Sequence, residues 1–80
     1  MSNRTIYESA FIELFQVEKE ILATGLEYQG VLAWDSVGHM ELIAKLESDF
    51  DIMMEMDDVI DFSSFQKGID ILKKYEIVIE

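Results

Sequence analysis

DSVGHMELIAKLESDF, residues 35–50, reads as an amphipathic helix with its start signal attached. Asp35 or Ser36 can cap it, because a short side-chain oxygen at a helix start accepts from a backbone N–H of the first turn. Leu42, Ile43, Leu46 and Phe50 recur at helical spacing and mark the buried face. Val37, Met40, Glu41, Ala44, Glu47 and Ser48 fall on the other side. Gly38 sits inside the first turn, and a helical glycine costs about 1 kcal/mol, so the spacing predicts a loosened start.

Working outward, Thr5-Ile6-Tyr7-Glu8 has the spacing of a capping box. Ile6, Ala10, Leu14 and Val17 follow on one face, with Phe11 and Phe15 beside them, predicting a helix from about Thr5 to about Val17. The stretch EKEILATGLEYQGVLAW, residues 18–34, loses the helical period and contains Gly25 and Gly30. It is expected to be a long loop whose Ile21, Leu22, Leu26, Tyr28 and Val31 tuck onto the core. Loops of that length are often functional. Trp34 is expected to lie over the bundle as a lid.

After the central helix, Asp57-Asp58 can start a short helix through Val59 and Ile60. Ser63-Ser64-Phe65-Gln66 is a second capping box, opening a helix with Phe65, Ile69 and Leu72 inward. Lys73 and Lys74 suit its last turn, where the dipole favours cations. The tail YEIVIE, residues 75–80, is β-branched and suits an extended path. Met53, Met54 and Met56 are expected to fill gaps in the core. The sum is an all-α fold, a small four-helix bundle of three longer helices and one short one, in a single domain over residues 1–80.

Charge narrows the partners. Residues 35–61 hold nine acids (Asp35, Glu41, Glu47, Asp49, Asp51, Glu55, Asp57, Asp58, Asp61) against Lys45, which is −8 of the chain's −11. Phosphate backbones would be repelled, so nucleic acid is not an expected partner. The acids are read either as a solvated surface that keeps the chain soluble, the usual case, or as a docking face for a basic protein surface. No apolar run approaches the ~20 residues of a membrane span, so no membrane insertion is expected. The first ten residues, MSNRTIYESA, show no secretory pattern and there is no cysteine, which together suggest the reducing cytoplasm; the chain is expected to be a monomer.

Ser36 is a poor nucleophile candidate. His39, the sole histidine, follows three residues later and Asp35 precedes, a spacing that does not align nucleophile, base and orienting acid. No G-x-S-x-G turn is present. One histidine and no cysteine exclude an ordinary zinc site, and DFDIMMEMDD, residues 49–58, lacks the calcium-loop pattern. His39 is read as packed and hydrogen-bonded. A phosphate on Ser36 would meet free N–H groups at the helix start, which suits an attachment point. Spacing alone favours the plainer role of a cap.

The segment DSVGHMELIAKLESDFDI resembles the serine motif of acyl carrier proteins, which is usually Asp-Ser-Leu followed by a Glu-Leu pair and an acidic end. Here those elements are Asp35-Ser36-Val37, Glu41-Leu42, Leu46-Glu47 and Phe50-Asp51-Ile52. The likeness runs from Trp34 to Leu72 and is looser over the first helix. It implies a non-enzymatic carrier with phosphopantetheine on Ser36, donated from coenzyme A by a phosphopantetheinyl transferase. The arm would pass a thioester-linked acyl or aminoacyl group between biosynthetic enzymes with basic docking surfaces. Asp35, Val37, Met40, Glu41 and Glu47 would form the docking face. Val37 stands where leucine is usual, Trp34 where a small residue is, and a proline common before the third helix is missing. Those departures suggest a specialised stand-alone carrier of fatty-acid, polyketide or related lipid biosynthesis. The alternative is an acidic adaptor binding basic partners through Met40, Met53, Met54 and Met56.

Overall fold

In a computed structural model that describes residues 2–80, the chain is all-helical. The helices are α1 (Asn3–Phe15), α2 (Lys19–Ala23), α3 (Ser36–Phe50), α4 (Met56–Asp61) and α5 (Phe65–Lys73). They form a small bundle of 28 × 26 × 18 Å in which α1 packs chiefly on α3. Among the described residues there is no sheet, only an isolated antiparallel bridge between Glu27 and Ser64.

Helix α1 starts two residues earlier than its capping box predicts. The Ser2 hydroxyl accepts from Thr5 N at 3.1 Å, and Glu8 pairs with Arg4 Nε at 3.1 Å instead of reaching back to a cap. Its inward residues are Tyr7, Ala10, Phe11 and Phe15, with Ile6, Leu14 and Val17 only half-buried. The helix stops at Gln16, which takes the left-handed conformation at φ 53° and donates to Ile12 O.

The expected loop contains α2, so the bundle has three longer helices and two short ones. Five residues burying only Leu22 show no period for a sequence reading to detect. Leu22 and Leu26 reach the core, whereas Ile21 is exposed and Tyr28 lies at the surface. The rest of the loop is tied down by Tyr28 N donating to Ser63 O and Phe65 N to Leu26 O, each at 2.8 Å. Because the Ser63 carbonyl serves that bridge, the cap of α5 moves one residue on: the Ser64 hydroxyl accepts from Lys67 N at 2.9 Å.

Phe11 is the hub of the core, with ring centroids of Tyr7, Phe65 and Trp34 at 5.0, 5.0 and 5.4 Å. Tyr7 is wholly buried and donates its hydroxyl to Phe65 O at 2.6 Å; burial pushes its phenol far above the ordinary range. Trp34 is an interior residue rather than a lid. It has no exposed surface and stacks on Phe15 at 5.3 Å. Gly38 explains how it gets there. A Cβ at Gly38 would collide with the Ala33 carbonyl, so the glycine lets the segment before Trp34 cross the first turn of α3 at close quarters. That turn is therefore packed rather than loosened. Of the three methionines expected inside, Met54 is buried while Met53 and Met56 are 85% and 71% exposed.

The tail is not extended from its start: Tyr75 and Glu76 lie in a turn that closes α5, with Glu76 left-handed at φ 64°, and residues 77–80 join no sheet. Ile79 is buried and Tyr75 and Ile77 are half-buried, alternating with exposed Glu76, Val78 and Glu80. Asn3 Nδ2 donates to Val78 O at 3.2 Å and holds the tail beside the start of α1.

Candidate functional site

Asp35, and not Ser36, caps α3. Its Oδ1 accepts from Gly38 N at 2.8 Å and its carbonyl accepts from His39 N at 2.8 Å. Two equally suitable capping side chains stand in sequence, and the fold uses one. Ser36 is then the first helical residue, exposed, and its hydroxyl bonds to none of the described residues. The first N–H groups of a helix have no intrahelical partner, so those of Ser36 and Val37 are left for water or an anion.

Ser36 lies on the rim of a groove of about 290 Å³ between α3 and α4. Exposed Met40, Met56 and Ile60 make the rest of the rim. The base is formed by buried Phe62 and half-buried Val59 and His39. Tyr28 and Ser63 complete the lining. Four separate segments supply these residues, and of them Ser36 and Met40 stand out in the sequence as carrier-site candidates and Met56 as a candidate of the adaptor alternative.

His39 is packed and hydrogen-bonded, as its place at the edge of the buried face predicts. Trp34 Nε1–H, which can only donate, gives its hydrogen to His39 Nδ1 at 3.0 Å. The histidine proton must therefore sit on Nε2, from which it is donated to Val59 O at 2.8 Å. Val59 lies in the last turn of α4, where carbonyls lack helical partners. His39 thus supplies that partner and joins α3 to α4 at the base of the groove.

The other candidates divide. Val37 and Met40 are 67% and 57% exposed beside Ser36, with Glu41 and Asp35 also at the surface. Glu47 is half-buried and its Oε2 accepts from Met54 N at 2.8 Å, so it holds the turn after α3. Asp58 is buried and bound to Lys74 and Tyr75. The free acidic surface is accordingly smaller than the nine acids of the segment imply. No described helix is long and apolar enough to cross a membrane.

Set against known proteins, the chain matches no family model and no curated relative.

Proposed function

We propose that this chain is an acyl carrier protein: a non-enzymatic shuttle whose Ser36 carries phosphopantetheine and passes a thioester-linked group between enzymes of the cytoplasm. One observation carries the reading. With Asp35 already capping α3, Ser36 is relieved of the plain structural role that would otherwise explain it. Its exposed hydroxyl opens onto an apolar groove beside it. Helices α1, α3, α4 and α5 correspond to the four that the sequence predicts, with α2 an extra turn in the first loop. The adaptor alternative keeps Met40, Met53 and Met56 exposed but loses Met54 to the core, and leaves Ser36 without a role.

The residues fit the group. In the attachment step Ser36 Oγ forms a phosphodiester while the phosphoanhydride of coenzyme A breaks and adenosine bisphosphate leaves. The hydroxyl proton passes to a base on the transferase. The N–H groups of Ser36 and Val37, which have no intrahelical partner, would hold the phosphate of the arm. When bound, the arm supplies the thiol that holds cargo as a thioester.

Incubation with coenzyme A, magnesium and a broad-specificity transferase is expected to add one phosphopantetheine mass. Ser36→Ala should gain nothing and melt as the parent does, because the cap is Asp35. Full labelling of that variant would defeat the proposal.

Partner docking follows from the same face of α3. Met40 and Val37 would anchor a complex while Glu41 steers a basic surface toward it. Exposed pairs are worth only about 0–1 kcal/mol and are screened by salt, which suits a transient encounter. Glu41→Lys is expected to slow transferase modification several-fold at low salt and much less at high salt. Met40→Ala should slow it at both. Rates of modification unchanged in both variants would remove α3 as the docking face.

A further inference from the structure

We infer, resting on the carrier reading above, that the Trp34–His39–Val59 hydrogen-bonded strut closes the base of the groove and restricts the cargo to short acyl groups without a negative charge. The strut runs from the core to the far wall. Trp34 is wholly buried, stacks on His39 at 6.2 Å and 18°, and donates to its Nδ1; His39 Nε2 in turn donates to Val59 O. Phe62 lies against both rings, at 6.5 Å from Trp34 and 6.1 Å from His39. Tyr28 closes on His39 from the other side at 5.5 Å.

A chain pushing deeper than this ring layer must displace His39. That would leave the Trp34 N–H and the Val59 carbonyl unpaired inside the protein. The first few methylenes to pass this layer gain no more than the two unpaired buried groups cost together, so a short chain is not drawn past the strut. Size agrees with this. About 290 Å³ lies at the bottom of the ~300–1,000 Å³ range of small-molecule sites, and the groove is open on one side. Charge limits the cargo as well. The lining contains no lysine or arginine, and Glu41, Asp57 and Asp61 are exposed on the two helices that form the walls. A cargo carboxylate would find repulsion and no partner. The apolar rim of Met40, Met56 and Ile60 suits a neutral alkyl group.

The test loads the full chain from butanoyl-, dodecanoyl- and succinyl-coenzyme A with a broad-specificity transferase. Mass spectrometry checks that one arm has been added before any melting is measured, so a loading failure strikes the carrier reading and not the strut. Relative to the free-thiol form, butanoyl is expected to raise the melting temperature by about 4 °C, dodecanoyl by no more than butanoyl, and succinyl not at all. Emission from Trp34, the single tryptophan, should be the same with butanoyl and dodecanoyl. His39→Ala opens the base, so dodecanoyl should then stabilise more than butanoyl does. If that variant does not fold, Trp34→Phe, which removes the N–H and part of the ring, takes its place. Stabilisation that keeps growing up to dodecanoyl in the parent protein would overturn the inference. So would a dodecanoyl-specific change in Trp34 emission, a succinyl effect equal to butanoyl, or no effect of butanoyl.

Discussion

Gly38→Ala is expected to destabilise the protein by about 1–3 kcal/mol, the opposite sign to the gain of up to ~1 kcal/mol that this change brings in an ordinary helix interior. Gly38 has no unusual backbone angle to protect, so the reason is space. An added Cβ would collide with the Ala33 carbonyl oxygen and would stand 3.1 Å from its carbon and 3.2 Å from Phe15 Cε1. The obstacle is backbone, which cannot swing aside as a side chain can. Ala33 is fixed in place by its neighbour. Trp34 N donates to Val31 O at 3.1 Å, and Trp34 O accepts from Gln29 N at 2.9 Å. Relief therefore requires moving the segment that seats Trp34, or tilting the first turn of α3 with Asp35 and Ser36 on it. For a domain of this length each kcal/mol lowers the midpoint by about 4–8 °C, which circular dichroism during heating resolves easily. Transferase labelling of Ser36 should slow in the same variant. A melting temperature equal to or above the parent's would mean that the crossing segment yields and that the close approach is not what selects glycine.

The same crossing marks the limit of what the sequence discloses. Helix α3 is legible because its cap, its spacing and its length agree, each a local property. Its end is less so, since Asp51 takes the left-handed position at φ 54° where glycine is the usual signal. Helix α2 is hidden because five residues cannot display a period. Trp34 reads equally well as a lid or a core residue. The choice between them is made by Phe15, which stacks on Trp34, and by Gly38, which admits the Ala33 carbonyl beside it, contacts formed only in three dimensions. Ser36 is the sharpest case. Aspartate and serine are equivalent caps by propensity, so no reading of Asp35-Ser36 separates cap from free hydroxyl until the bond to Gly38 N is seen. The groove escapes for another reason: its lining comes from the first loop, α3, α4 and the turn after α4.

The tail, whose role the sequence leaves blank, supports the second large effect. Tyr75→Phe is expected to cost about 1.5–3 kcal/mol at neutral pH, the range for a hydrogen bond to a charged group. Glu55 gives α4 no side-chain cap, and its N–H donates instead to the Tyr75 hydroxyl at 2.9 Å. That hydroxyl donates in turn to Asp58 Oδ2 at 2.5 Å, while Lys74 Nζ reaches Oδ1 at 2.9 Å. Asp58 is in the first turn of α4, where the helix dipole favours a negative charge. The Tyr75 bond, followed by the Lys74 bond, holds its carboxyl below the usual range; burial and then Asp58 push the Tyr75 phenol up. Of the two partners Tyr75 should dominate. The Lys74 side chain is 64% exposed, so water and salt screen it, and Lys74→Met is expected to be nearly silent. Acid separates the two contributions of the phenol. Because the folded state lowers the carboxyl's pKa, the stabilisation is complete above the unfolded value near 4 and is lost as the pH falls through the folded one. Urea titrations should therefore show a gap between parent and Tyr75→Phe that is wide at neutral pH and narrows below about pH 4. A gap of constant width would assign the whole effect to the Glu55 cap instead. Met56, Val59 and Ile60 of α4 line the groove, so losing this anchor frees a wall of the proposed cargo site. Amide exchange should then quicken in α4 while α1 and α3 keep their protection.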